Sequence, residues 1–105
     1  VVYAYTIRKR IRRDDSILQI QRLEKFYTTN SKAGIIPSHA KRLGEQLFVL
    51  NRATVPQDMA FEGWGLHPLH GKLEGHWSVK VNGNWRMTFR IEGGQAEVVD
   101  YQDYH

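Results

Sequence analysis

The spacing of apolar positions along the chain changes near its middle. Leu23, Phe26 and Tyr27 recur at helical spacing while Glu24 and Lys25 turn away, which predicts a first helix over residues 22–29. Upstream, Asp14, Asp15 and Ser16 are good N-cap types, and Ile17 to Ile20 reads equally as the start of that helix or as a short strand before it. Asn30-Ser31-Lys32-Ala33-Gly34 interrupts the pattern. Pro37 or Ser38 then opens a second helix, because proline is preorganised for a first helical turn. In it Ala40, Leu43, Leu47 and Leu50 form an apolar stripe, with Lys41, Arg42, Glu45 and Gln46 outward.

From Trp64 onward the period is two. Trp64, Leu66 and Leu69 are assigned to one strand, and Gly71 and Gly75 bracket the turn after it. Trp77, Val79 and Val81 alternate with Ser78, Lys80 and Asn82, and Asn82-Gly83 is a strong hairpin signal. Trp85, Met87, Phe89 and Ile91 alternate with Arg86, Thr88 and Arg90; Gly93-Gly94 turns the chain again, and Ala96, Val98 and Val99 lead to Tyr101. The expected fold is α+β: two N-terminal helices packed on an antiparallel meander of about four strands, whose apolar face the helices cover. Trp77 and Trp85 fall with the core-facing set, so they pack rather than stack on a ligand. The first eleven residues alternate loosely and read as a strand with a basic end or as an arm.

Length and composition narrow this picture. A chain of 105 residues supports one domain with a single core. With no cysteine, disulfides and Cys-based zinc or redox sites are excluded. No apolar run spans a bilayer and no signal-peptide pattern is present, so a cytoplasmic protein with no membrane partner is expected. The formal charge is +4, which favours an anionic partner. Residues 1–16, with five cations against two aspartates, hold net +3 of it. A nucleic-acid site in the remainder therefore depends on where a few cations sit. The five histidines lack metal-ligand spacing, and no cofactor is expected.

Alternation gives those cations a direction. If Trp85, Met87 and Phe89 face the helices, Arg86 and Arg90 face the other way, where a guanidinium on a rigid strand makes a phosphate clamp. His67 and His70 lie on or after the first strand of the meander, Lys72 lies in the next turn, and the strand ending at His105 runs beside Arg86. Imidazoles, a guanidinium, an ammonium, a carboxylate and a phenol on one face suit RNA cleavage. Histidine carries protons near neutrality, and Arg or Lys offsets the charge that develops on phosphorus.

The segments Leu66-His67-Pro68-Leu69, Trp77-Ser78-Val79, Val81-Asn82-Gly83-Asn84-Trp85-Arg86 and Tyr101-Gln102-Asp103-Tyr104-His105 occur in this order. With Phe26-Tyr27, Ser31 to Gly34 and His39-Ala40-Lys41-Arg42-Leu43 upstream, the chain resembles the HigB-type toxins of the RelE superfamily over about residues 22–105. The resemblance implies a RelE-like fold over 17–105 and leaves 1–16 as an N-terminal extension of uncertain status. It implies a ribosome-dependent mRNA endonuclease that needs no metal, with His67, Arg86, Asp103, Tyr104 and His105 as the catalytic set. His70 stands where the family usually has Lys. It, Lys72 and Arg90 are the candidate phosphate-binding residues. The implied partners are a HigA-like helix-turn-helix antitoxin, the ribosome with mRNA in its A site, and operator DNA only through the antitoxin. Two other readings stand beside this one: a ParE-like gyrase poison on the same fold, and a non-catalytic relative that serves only as a co-repressor.

Overall fold

The computed structural model describes residues 2–3 and 14–103, with side chains described from Gln21 onward except Val99. Helix α1 spans Asp14–Thr29, so Ile17 to Ile20 belongs to the helix and not to a strand before it. Leu23 and Phe26 are buried, as their spacing predicts. The last turn is closed by its own side chains: Thr28 Oγ1 donates to the Glu24 carbonyl at 2.8 Å and Thr29 Oγ1 to that of Lys25 at 2.7 Å. Asn30 then takes a left-handed φ of 60°, a conformation its short polar side chain tolerates.

A 3-10 turn, Pro37–His39, leads into α2, Ala40–Leu50. Proline sits at the start of this turn, where a missing N–H costs nothing. Leu43, Leu47 and Leu50 are fully buried. So is Gln46, which the pattern assigned to the outer face; its Nε2 donates to the Lys80 carbonyl at 2.8 Å and so ties α2 to the sheet.

The sheet contains β1 (Val2–Tyr3), β2 (His67–Pro68), β3 (Trp77–Asn82), β4 (Trp85–Glu92) and β5 (Gln95–Asp103), in the spatial order β1-β5-β4-β3-β2. Strands β2 to β5 form the expected antiparallel meander, and β1 adds a parallel edge on β5 through Val2↔Glu97 and Tyr3↔Val98. The strand assigned to Trp64 through Leu69 is reduced to two residues. Gly65 takes a φ of 57°, which breaks the extended run, and Trp64 turns into the core. Both ends of that run still hold the sheet: Lys80 N–H donates to the Trp64 carbonyl and Leu69 N–H to that of His76. Between β4 and β5, Gly93 and Gly94 both adopt positive φ, as a two-residue hairpin requires.

Met87, Phe89, Val79, Val98 and Tyr101 are fully buried beneath the helices, and α1 lies across β5. Strand β5 reaches this arrangement through a bulge. Phe89 pairs with Val98 and Thr88 with Asp100, leaving Val99 as the extra residue. The bulge changes the phase of the strand, so that Val98 and Tyr101 both serve the core although they are three positions apart. Among the described residues no helix is long and apolar enough to cross a membrane.

Candidate active site on the open sheet face

The sheet face turned away from the helices carries an aligned polar row. His67 pairs with Ser78, Ser78 with Thr88, and Thr88 with Asp100, so one residue from each of β2 to β5 stands in line. Lys80, Arg86 and Gln102 form the adjacent row. Ser78 and Thr88 are 1% and 0% exposed, so this face has a protected polar floor.

Arg86 crosses from one row to the other. Its Nη1 donates to Ser78 Oγ at 3.2 Å, reaches the Gly65 carbonyl at 3.5 Å and lies 3.4 Å from His67 Nδ1. His67 Nδ1 is 3.2 Å from the Gly65 carbonyl, and its Nε2 is 3.5 Å from Ser78 Oγ. Nδ1 is approached by the Gly65 carbonyl and by Arg86 Nη1, so its tautomer decides whether it donates to the first or accepts from the second, while Ser78 Oγ accepts from Arg86 and meets Nε2. The cluster thus sets an imidazole beside a guanidinium, both on strands whose hydrogen bonds fix their spacing.

The two arginines of β4 differ in their partners. Arg90 Nε binds Glu97 at 3.1 Å and its Nη1 lies 3.4 Å from Glu92, so carboxylates offset its charge. Among the described residues no carboxylate pairs with Arg86. Arg90 is also four residues along the strand from Arg86, about 13 Å at the usual rise. Arg86 thus has no carboxylate partner among the described residues, whereas Arg90 is tied across the strands to Glu97.

His70 and Lys72 are exposed on the segment between β2 and β3, where a 3-10 turn spans Gly71–Leu73, and among the described residues neither side chain bonds to the cluster. Asp103 pairs with Trp85, one register position from Arg86, and the phase set by the bulge aligns it with Tyr101 rather than with Gln102. Tyr104 and His105 lie outside the described residues. Strand phase put Thr88 on this face with Arg86, but sequence reasoning did not find the floor that it forms with Ser78 and Asp100. The available signal was a polar residue at the matching alternate position of three successive strands. Among the described residues no group of three or more His, Asp or Glu side chains is arranged to hold a metal ion.

A small α+β scaffold with an arginine-histidine cluster on its open sheet face defines the class to compare. The backbone is similar to that of the YoeB-YefM complex from Staphylococcus aureus, with a TM-score of 0.57 and 15% identity over 84% of this chain and 88% of that one. It is also similar to the YoeB/ParE toxin from Agrobacterium tumefaciens, with a TM-score of 0.51 and 19% identity over 81% and 88%. These likenesses establish the RelE-like fold. The family model for the RelE-like toxin of type II toxin-antitoxin system HigB matches residues 17–105. Endoribonuclease HigB of Proteus vulgaris is 32% identical over 83 residues, covering 79% of this chain and 90% of that protein. The chain belongs to the HigB-like family of RelE-like toxins.

Proposed function

We propose that this protein is an endoribonuclease toxin that cuts mRNA on the ribosome by driving the ribose 2′-hydroxyl onto the adjacent phosphate. The observation that carries the reading is Arg86, a guanidinium without a carboxylate partner among the described residues, held within hydrogen-bonding reach of Ser78 and His67 on the open sheet face. Similarity to an endoribonuclease over most of the chain supports it.

In this reading the substrate's phosphate oxygens sit against Arg86, which stabilises the second negative charge that develops as the 2′-oxygen bonds to phosphorus. A histidine takes the 2′-hydroxyl proton, and a second proton carrier delivers one to the departing 5′-oxygen. His67 and His105 are the two imidazoles of the set that the family resemblance implies. Tyr104 stacks on a base or orients the phosphate, and Asp103, in phase with Tyr101 and opposite Trp85, acts from the end of β5 rather than on Arg86 directly. These steps use only side chains of this protein and leave a 2′,3′-cyclic phosphate. The antitoxin that restrains it is of the helix-turn-helix type, and any contact with operator DNA runs through that antitoxin.

A translation extract programmed with a defined mRNA tests the reading. The purified protein should cut the message within translated codons, leave cyclic phosphate ends and do neither on naked RNA. Arg86→Ala and His105→Ala should each slow cutting by about two orders of magnitude or more while the protein stays folded. Gyrase inhibition without mRNA cleavage would replace this reading with the gyrase-poison one. Cleavage of naked RNA at the same rate would remove the ribosome from it.

A further inference from the structure

The cleavage reading leaves one buried ionisable contact without a role. His39, at the end of the 3-10 turn before α2, is only 3% exposed. Its Nδ1 lies 2.7 Å from the Tyr101 hydroxyl oxygen. Its ring meets Trp85 edge-on at 5.5 Å between centroids and Tyr101 at 6.1 Å. Trp85 and Tyr101 in turn contact each other at 4.9 Å. Burial lowers the His39 pKa and pushes that of Tyr101 up to about 12, so a neutral imidazole faces an un-ionised phenol. Each group satisfies a polar atom of the other that would be costly to bury alone.

The position of this contact gives it meaning. Trp85 immediately precedes Arg86 on β4 and pairs with Asp103. Tyr101 pairs with Met87 and stands two residues before Asp103 on β5. The bulge at Val99 separates residues 100–103 from the rest of β5, and the described pairs of β1 with β5 are at Glu97 and Val98. A strand end that follows a bulge depends on packing to keep its register. The imidazole of His39 ties it to the helical layer, directly beneath the Arg86↔Gln102 pair.

We infer that His39 is a positioning residue for RNA cleavage: by holding the Tyr101 hydroxyl and the Trp85 ring, it keeps the end of β5 in register, with Gln102 opposite Arg86 and Asp103 opposite Trp85. The inference rests on the cleavage reading above, and its test has one arm that does not depend on cleavage. Full-length wild type, His39→Leu, His39→Asn and Tyr101→Phe are compared. Asparagine can still place a polar atom near the Nδ1 position, whereas leucine fills the space without one. Single-turnover cleavage on programmed ribosomes gives kcat and KM, and amide hydrogen exchange reports the opening of residues 100–103.

In His39→Leu, kcat should fall about tenfold or more with KM within about twofold. Exchange at residues 100–103 should quicken about tenfold, while α2 and residues 87–91 stay protected. His39→Asn should restore most of both. Tyr101→Phe keeps the ring and loses only the hydroxyl, so it should reproduce the loss even where His39→Leu fails to fold. Wild-type exchange and cleavage in Tyr101→Phe would overturn the inference. So would activity that falls only as the folded fraction falls, with exchange rising evenly along the chain. If wild type itself cuts no message, the cleavage reading fails, and the register-holding role then stands or falls on exchange alone.

Discussion

Arg86 offers the sharpest test of the proposed chemistry, because its neighbour Arg90 on the same strand supplies an internal control. The phosphate of the substrate already carries one negative charge, and Arg86 attracts that charge in the ground state. Only the second unit, which develops in the transition state, accelerates the reaction. Arg86 is half-buried over a floor that includes the 1% exposed Ser78, so an effective dielectric near 20 is appropriate. One extra unit of charge about 4–5 Å from the guanidinium is then worth about 3–4 kcal/mol, or about 10²–10³ in rate. Arg86→Ala should lower single-turnover kcat by that factor. Arg86→Lys keeps the charge but loses the planar fork that reaches Ser78 and Gly65, and should lose about tenfold. Arg90→Ala removes a part-exposed pair with Glu97 and Glu92, costs at most about 1 kcal/mol of stability and should leave kcat within a fewfold of wild type. The assay is cleavage on programmed ribosomes under saturating enzyme, with circular dichroism to verify the fold of each variant. Equal losses in Arg86→Ala and Arg90→Ala would rule out a special role for Arg86, since the two differ in their carboxylate partners.

Other expectations concern the scaffold. Phe89 is fully buried, so Phe89→Ala should cost about 3–5 kcal/mol in a urea titration. Gly34 has a φ of 78°, and a Cβ there would collide with the Arg22 side chain. Gly34→Ala should therefore destabilise by more than about 1 kcal/mol, and adding Arg22→Ala should relieve the collision but not the backbone strain. Burial lowers the pKa of His39, so its contribution to stability is complete above the unfolded value of 6.5 and is lost as pH falls below it. Thermal melts of His39→Asn should lack that component. Tyr101 behaves in the opposite sense: its contribution is complete below pH 10 and disappears as pH rises toward about 12, a dependence that Tyr101→Phe should remove.

The elements that the sequence made legible are those whose apolar period runs uninterrupted. The α2 stripe through Leu43, Leu47 and Leu50, the alternation of β3 and β4 and the Gly93-Gly94 hairpin all follow from local spacing. Gln46 was misplaced because a glutamine on a helix reads as solvated until the sheet supplies a carbonyl for it, here that of Lys80. The strand from Trp64 to Leu69 was overextended because Gly65 interrupts it with a positive φ that alternation does not register. In the site, Arg86 and His67 were legible, the former from strand phase and the latter from the family motif. Ser78 was not, since its role depends on which residues of β2 and β4 lie beside it.

The bulge in β5 carries this lesson furthest. Strict alternation puts residues 96, 98, 100 and 102 on one face, which would bury Asp100 and expel Tyr101 from the core. A single extra residue between Val98 and Asp100 reverses the phase, so Tyr101 enters the core and Asp100 joins the polar row with Thr88 and Ser78. Insertion of that residue is an exchange: β5 loses one ladder position and gains a buried phenol whose hydroxyl His39 then satisfies. The same shift aligns Asp103 with Trp85 and Gln102 with Arg86, so the composition of the open sheet face is set by a backbone irregularity 12 to 13 residues along the chain from Arg86. Deletion of Val99 should therefore leave a regular ladder in which Val98, Tyr101 and Asp103 keep one phase and Asp100 and Gln102 the other, so that Tyr101 still reaches His39. Cleavage and stability close to wild type in that deletion would show that the bulge serves only to set the phase, whereas loss of cleavage with the fold retained would show that the local twist of the bulged strand is itself needed.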